Sequence, residues 1–392
     1  MKRLQIILIC TLIVLLASIL AGCSALPAAE TIGASPDIGA SLVNVAPPST
    51  EGYQRAVPGR TLVFPEDHGP HPEYLTEWWY YTGNLADAAG NRFGYQLTFF
   101  RRALQPPDSS VQRPSRWGAD QAYMAHFAIT DARGNKHQAV EKLARGAAGL
   151  AGAEASPFSV WLEHWQVSEV EPGVYTVKAA QDDGAIDLKL RDSKGPILHG
   201  DQGYSQKGPD PGDASYYYSL TRLATSGEFR INGETYSVEG DSWMDHEFST
   251  SALSAGQVGW DWFSVQLEDG RELMFFQMRR EDGSIDPYSS GTVILADGST
   301  RHLSVEDFNI QVQDTWKSPQ SGGVYPSRWV VELPGESLVL RLTPHIADQE
   351  LNLTYNYWEG AVGVEADSPT GTISGYGYVE MTGYAGSMSG EF

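Results

Sequence analysis

RFGYQLTFF, residues 92 to 100, sets Phe93, Tyr95, Leu97 and Phe99 on one face of an extended chain. A period of two belongs to a strand, because successive side chains alternate across a pleated backbone. The period returns in AIDLKL, where Ile186, Leu188 and Leu190 share a face and charged residues stand between them. Asp183-Gly184, Asn232-Gly233, Asp269-Gly270, Asp282-Gly283 and Asp297-Gly298 punctuate such runs and suit tight hairpins, whose central residues need positive φ. No stretch after the N-terminal apolar run offers a long amphipathic helix. The chain reads as an antiparallel all-β protein, and closure into barrels would remove its open edges.

The pattern occurs twice. EWWYYTGNL (Glu77 to Leu85) lies without gaps over GWDWFSVQL (Gly259 to Leu267), matching Trp78 with Trp260, Tyr80 with Trp262, Tyr81 with Phe263 and Leu85 with Leu267. Each segment is followed by a strand with Phe-Phe and then Arg-Arg: Phe99 to Arg102, and Phe275, Phe276, Arg279 and Arg280. GDSWMDHEF from Gly240 lies over GYGYVEMTG from Gly375, setting Trp243 on Tyr378 and Asp245 on Glu380. Two matches in the same order imply two diverged barrels, residues 61–250 and 251–392. A chain of 392 residues has room for two cores.

Residues 1–23 carry Lys2 and Arg3, an apolar run from Leu4 to Ala21, and LAGC ending at Cys23. They read as a lipoprotein signal cut before a lipidated Cys23, with a plain anchor helix as the competing reading. Residues 24–60, rich in Ala, Pro, Ser and Gly, read as a flexible tether. The formal charge of -22 disfavours nucleic acid and anionic lipid surfaces. Membrane attachment through acyl chains, an extracytoplasmic envelope location and a monomer are the expectations.

DHGPHPEYLTEWWYYTGNL (67–85), SWMDHEFS (242–249) and GYGYVEMTGY (375–384) together resemble the AttH and carotenoid 1,2-hydratase superfamily, a tandem lipocalin-like family. The resemblance implies two calycin-type barrels side by side, a hydrophobic cavity, no organic cofactor and a large apolar ligand such as an isoprenoid or lipid. It also implies a reaction, addition of water across a C=C bond. Protonating an alkene makes a carbocation, which calls for a carboxyl kept neutral by apolar surroundings and for aromatic faces around the cation.

Asp245, in Trp243-x-Asp245, matches the Tyr-x-Asp segment holding the family's proposed acid, and a barrel lumen is its expected place. Alternation sets Trp243, Asp245 and Glu247 on one face and Met244, His246 and Phe248 on the other. Tyr216 and Tyr218 fall where the family's hydratases have His-x-Trp; tyrosine keeps the ring but not an imidazole. With Asp245 and Trp243 they are the candidate catalytic set. The candidate ligand contacts are Glu77, Trp78, Trp79, Tyr80, Trp260, Trp262 and His126, the last also readable as a core histidine. His68, His71, His246 and Glu380 are expected to serve structure. The spacing of His68 and His71 admits two metal ligands, with Asp67 or Glu77 as a third, but neither a helical HExxH nor cysteine pairs accompany them, so no metal is expected. No GxSxG elbow supplies a hydrolase nucleophile. Two functions stay open: an anchored binder of a large hydrophobic molecule, or a cofactor-free hydratase or isomerase with a buried Asp as general acid.

Overall fold

Alternating side chains make two curled antiparallel sheets, seen in a computed structural model that describes residues 49–109, 118–251 and 253–388. The first comprises β1 (Thr76–Asp87), β2 (Arg92–Ala103), β3 (Gln121–Asp131), β4 (Lys136–Arg145), β5 (Ala151–Ala155), β6 (Phe158–Leu162), β7 (Trp165–Glu171), β8 (Val174–Gln181), β9 (Gly184–Asp192), β10 (Ile197–Leu198), β11 (Tyr204–Gln206), β12 (Ala214–Ile231) and β13 (Glu234–Ser249). The second comprises β14 (Gln257–Leu267), β15 (Glu272–Arg280), β16 (Ser290–Ile294), β17 (Thr300–Ser304), β18 (Asn309–Lys317), β19 (Val324–Leu333), β20 (Leu338–Pro344), β21 (Glu350–Asn352), β22 (Asn356–Ser368) and β23 (Gly371–Met381). Asn232 and Gly233 both take positive φ (53° and 79°) and turn β12 into β13 as the dipeptide demands. Before β9 the positive φ falls on Asp182, one residue earlier than the Asp183-Gly184 pair expected to carry it.

The strand orders correspond. In the first sheet β3, β2, β1, β13 and β12 are successive neighbours; in the second, β16, β15, β14, β23 and β22 are. The cross-strand register repeats as well, with Tyr80 opposite Asp245 in one sheet and Trp262 opposite Glu380 in the other. The first sheet curls until β3 and β4 pack on β6, which gives it the shape of a barrel. The structure is thus the tandem lipocalin-like architecture expected from the sequence.

Each sheet's inward face fills its own interior. Trp79, Tyr81, Tyr95, Phe99, Tyr218 and Phe248 belong to the first core, and Phe263, Trp329 and Trp358 to the second. A third apolar cluster joins the sheets through their outward faces, with Tyr80, Tyr217 and Trp243 from the first meeting Trp262, Phe276 and Tyr378 from the second. Two amide contacts flank it: Asn84 Nδ2 donates to the Gly377 carbonyl at 2.9 Å, and Gln266 Nε2 to the Ser242 carbonyl at 3.0 Å. Asn84 and Gln266 are repeat counterparts, and so are Gly377 and Ser242. The halves therefore clasp through a self-complementary surface of the kind a two-fold dimer has.

Residues placed in the tether already hold to the first barrel. Gln54 N donates to the Glu73 carbonyl at 2.9 Å, and Val57 exchanges hydrogen bonds with Tyr216 Oη at 2.8 and 3.1 Å. Cys23 and the expected signal lie outside the described residues.

Candidate active site

The cleft that matters lies between the barrels, where a lumen was expected. It is lined by outward-facing residues of β1, β2, β3 and β13 on one side and β14, β15, β22 and β23 on the other, and encloses about 1010 Å³ of empty space counting its open mouth. Trp78, Tyr80, Phe100, Trp260, Trp262 and Phe276 give it aromatic walls. The correction has a simple cause: rings pointing inward already fill both interiors.

Asp245 stands in the wall, 5 % exposed. Trp243 Nε1 donates to its Oδ1 at 2.6 Å and Tyr217 Oη to its Oδ2 at 2.7 Å; Ser219 Oγ also donates to Oδ1. Burial pushes the carboxyl up and the three donors pull it back, leaving it at about 7. The group is poised between acid and carboxylate near neutral pH. Behind Ser219 stands His199, with Nε2 at 2.7 Å from Ser219 Oγ and Nδ1 at 2.9 Å from Thr292 Oγ1. Burial drives that imidazole down to about 3, so it is neutral and can pass a proton by changing tautomer.

Four carboxyl groups face the cleft: Asp245, Glu247, Glu359 and Glu380. Lys207 Nζ lies 2.8 Å from Glu247 Oε1, an ion pair, and 4.4 Å from the Phe276 ring centre. Glu380, the repeat counterpart of Asp245, accepts from Trp260 Nε1 at 3.1 Å; burial raises it to about 8, helped by the charges of Asp245 and Glu247. Glu359 sits opposite Glu380 as Ser219 sits opposite Asp245. Burial first, and the charge of Glu380 second, hold its carboxyl well above the usual range. His126 lines the cleft too and bonds Tyr357 Oη through Nδ1 at 2.7 Å.

Several expected site residues sit elsewhere. Tyr216 and Tyr218 point into the first barrel, because Ser219 is the residue opposite Asp245 and alternation then brings Tyr217, not its neighbours, to the outer face. Tyr218 Oη lies between His68 Nδ1 (2.7 Å) and His246 Nδ1 (3.0 Å). Glu77 and Trp79 also face inward, while Trp78 and Tyr80 line the cleft. Trp79 Nε1 donates to the His68 carbonyl at 2.9 Å.

Glu77 is the hub of a buried network. Its Oε1 lies 2.7 Å from His71 Nδ1 and 2.9 Å from His246 Nε2, and its Oε2 accepts from Arg101 Nε at 2.7 Å. His71 Nε2 continues to Asp67 Oδ1 at 2.9 Å. Burial alone would raise Glu77, but Arg101, His71 and the hydrogen bonds outweigh it and hold the carboxyl well below its usual range. The ligand atoms of His71, Glu77 and His246 lie within 4.8 Å of one another, close enough for a metal. They bond each other instead, and the Arg101 guanidinium occupies the remaining carboxylate oxygen, a poor neighbour for a second cation.

Tyr217, Ser219, His199, Lys207 and Glu359 did not emerge from sequence reasoning. For Glu359 a signal existed: an isolated acid in the apolar strand stretch YWEGAVGV, residues 357 to 364. For Ser219 none did, because β12 shifts register against β13 between Leu220 and Leu223.

Two lipocalin-like barrels with an acid-lined cleft between them define a class of tandem-barrel proteins. The AttH-like family model matches residues 55–384, and the chain belongs to that family. A solved structure described as a putative AttH from Nitrosomonas europaea is 37 % identical, with a TM-score of 0.75, over 84 % of this chain and 99 % of that one. Kievitone hydratase from Nectria haematococca shares the fold at 15 % identity and a TM-score of 0.63, over 87 % of this chain and 99 % of that one. No curated protein matches.

Proposed function

We propose that the chain is a cofactor-free lyase of the hydratase type, acting on an apolar ligand in the inter-barrel cleft with Asp245 as general acid. The observation that carries this reading is Asp245 itself: a buried carboxyl at about 7, held by three donors in an aromatic wall. Oδ2, which among the described residues accepts from Tyr217 alone, is the oxygen with a lone pair left to carry a proton toward the ligand. The proton passes to one alkene carbon, water adds its oxygen to the cation at the other, and the proton that water sheds returns to the Asp245 carboxylate, which restores the acid. The rings of Trp78, Trp260 and Trp262 stabilise the positive charge meanwhile. A hydratase on the same fold adds support.

The second reading is a binder without chemistry, favoured by the aromatic walls. In either case we place the protein on the envelope through a lipidated Cys23, which metabolic labelling with a fatty acid tests against Cys23→Ser. Native mass spectrometry with lipid extraction, on protein from its own envelope and on Asp245→Asn, separates the two readings. A molecule held only by the variant, differing from the parent's by one water, is the expected result. The same unaltered molecule in both forms would reduce the protein to a carrier.

A further inference from the structure

Glu359 is 1 % exposed, lines the cleft, and among the described residues has no well-aligned hydrogen-bond partner on either carboxyl oxygen; the Tyr80 hydroxyl in the same cleft has none either. Burying such atoms without partners costs stability that a leucine and a phenylalanine would not. His126 bridges two residues beside Glu359, with Nε2 3.0 Å from Glu141 Oε2 and Nδ1 2.7 Å from Tyr357 Oη. The Tyr80 hydroxyl stands beside Glu359 and counts among the groups that act on its carboxyl, so the two face the cleft together. In the first half the equivalent position holds Ser219, which bonds Asp245; here two carboxyls face each other across β22 and β23.

We propose that Glu359 and Tyr80 form a recognition subsite for a hydroxyl or carbonyl group on the ligand, so that the cleft takes an oxygen-bearing lipophile and discriminates against a pure hydrocarbon. A site built to bond an oxygen rejects the analogue without one, because its buried polar groups are then left unpaired. The inference rests on the cleft being an apolar-ligand site and does not depend on which reaction occurs there.

The test uses the folded protein and two matched probes, 4-hexylphenol and hexylbenzene, with binding read from the fluorescence of the cleft tryptophans Trp78, Trp260 and Trp262. The parent protein binds the phenol about tenfold or more tighter, although the hydrocarbon is the more apolar probe. In Glu359→Leu and in Tyr80→Phe the order reverses, and Glu359→Leu melts no lower than the parent, which separates lost recognition from lost folding. Equal affinities in the parent, or a preference that survives both substitutions, overturn the subsite and leave the cleft reading standing. If neither probe binds the parent, the apolar-ligand reading falls and the subsite falls with it.

Discussion

Asp245 shows how one carboxyl is tuned by opposing forces. Its folded value of about 7 lies above the ~3.9 of an unfolded aspartate, so folding favours the protonated form. The stability this contributes is present in full below about pH 4 and lost as pH rises through about 7. Asp245→Asn cannot ionise, so its stability relative to the parent should climb by roughly 3 kcal/mol between pH 5 and pH 8. Calorimetry at both pH values checks this, and a difference that stays flat would mean the parent carboxyl is ionised throughout. Trp243→Phe removes a donor that favours the carboxylate. It should push Asp245 further up, visible in the carbon NMR titration of that side chain.

At the scale of elements, β1 forms a wall with different work on each side. Trp78 and Tyr80 serve the cleft, while Glu77 and Trp79 tie the strand to the loop before it. Arg101 on β2 is only 1 % exposed and also donates to the carbonyls of His71 and Tyr74, at 2.8 and 2.9 Å. Arg101→Met would leave Glu77 buried and short of its counter-charge, a loss of about 3–5 kcal/mol. Urea unfolding measures it, and Glu77→Leu added to Arg101→Met should return part of the loss. Much at this scale was legible in the sequence: the period of two gave the strands and, on β13, the split between Asp245 and His246. What could not be read was which residue of 215–219 (SYYYS) faces Asp245. A strand's own residues define its two faces, but the partner opposite depends on the register of β12, and that register shifts at Leu220 and Leu223. The position of the cleft was hidden for a related reason. Inward and outward faces are equally apolar in β1, and only the packing of both interiors decides which rings remain free.

For the whole molecule, the amide clasp works beside the apolar cluster and the Glu272 ion pairs with Lys194 and Arg222 in joining the halves. Asn84→Ala and Gln266→Ala each remove a bond buried at the sheet interface, and each should cost about 1–2 kcal/mol. In the double variant the barrels should uncouple, so that tryptophan fluorescence and far-ultraviolet circular dichroism no longer trace the same urea curve. Coincident curves would show that the apolar cluster holds the halves together without the amides. The clasp also bears on descent. Two identical half-length subunits meeting through such a surface would obey their symmetry axis, and any substitution on one wall of the shared cleft would reappear on the other. Such a dimer could not keep a serine beside one acid and a second acid beside its twin, as Ser219 and Glu359 stand here. Joining both copies in one polypeptide lifts that constraint, and each wall becomes free to specialise.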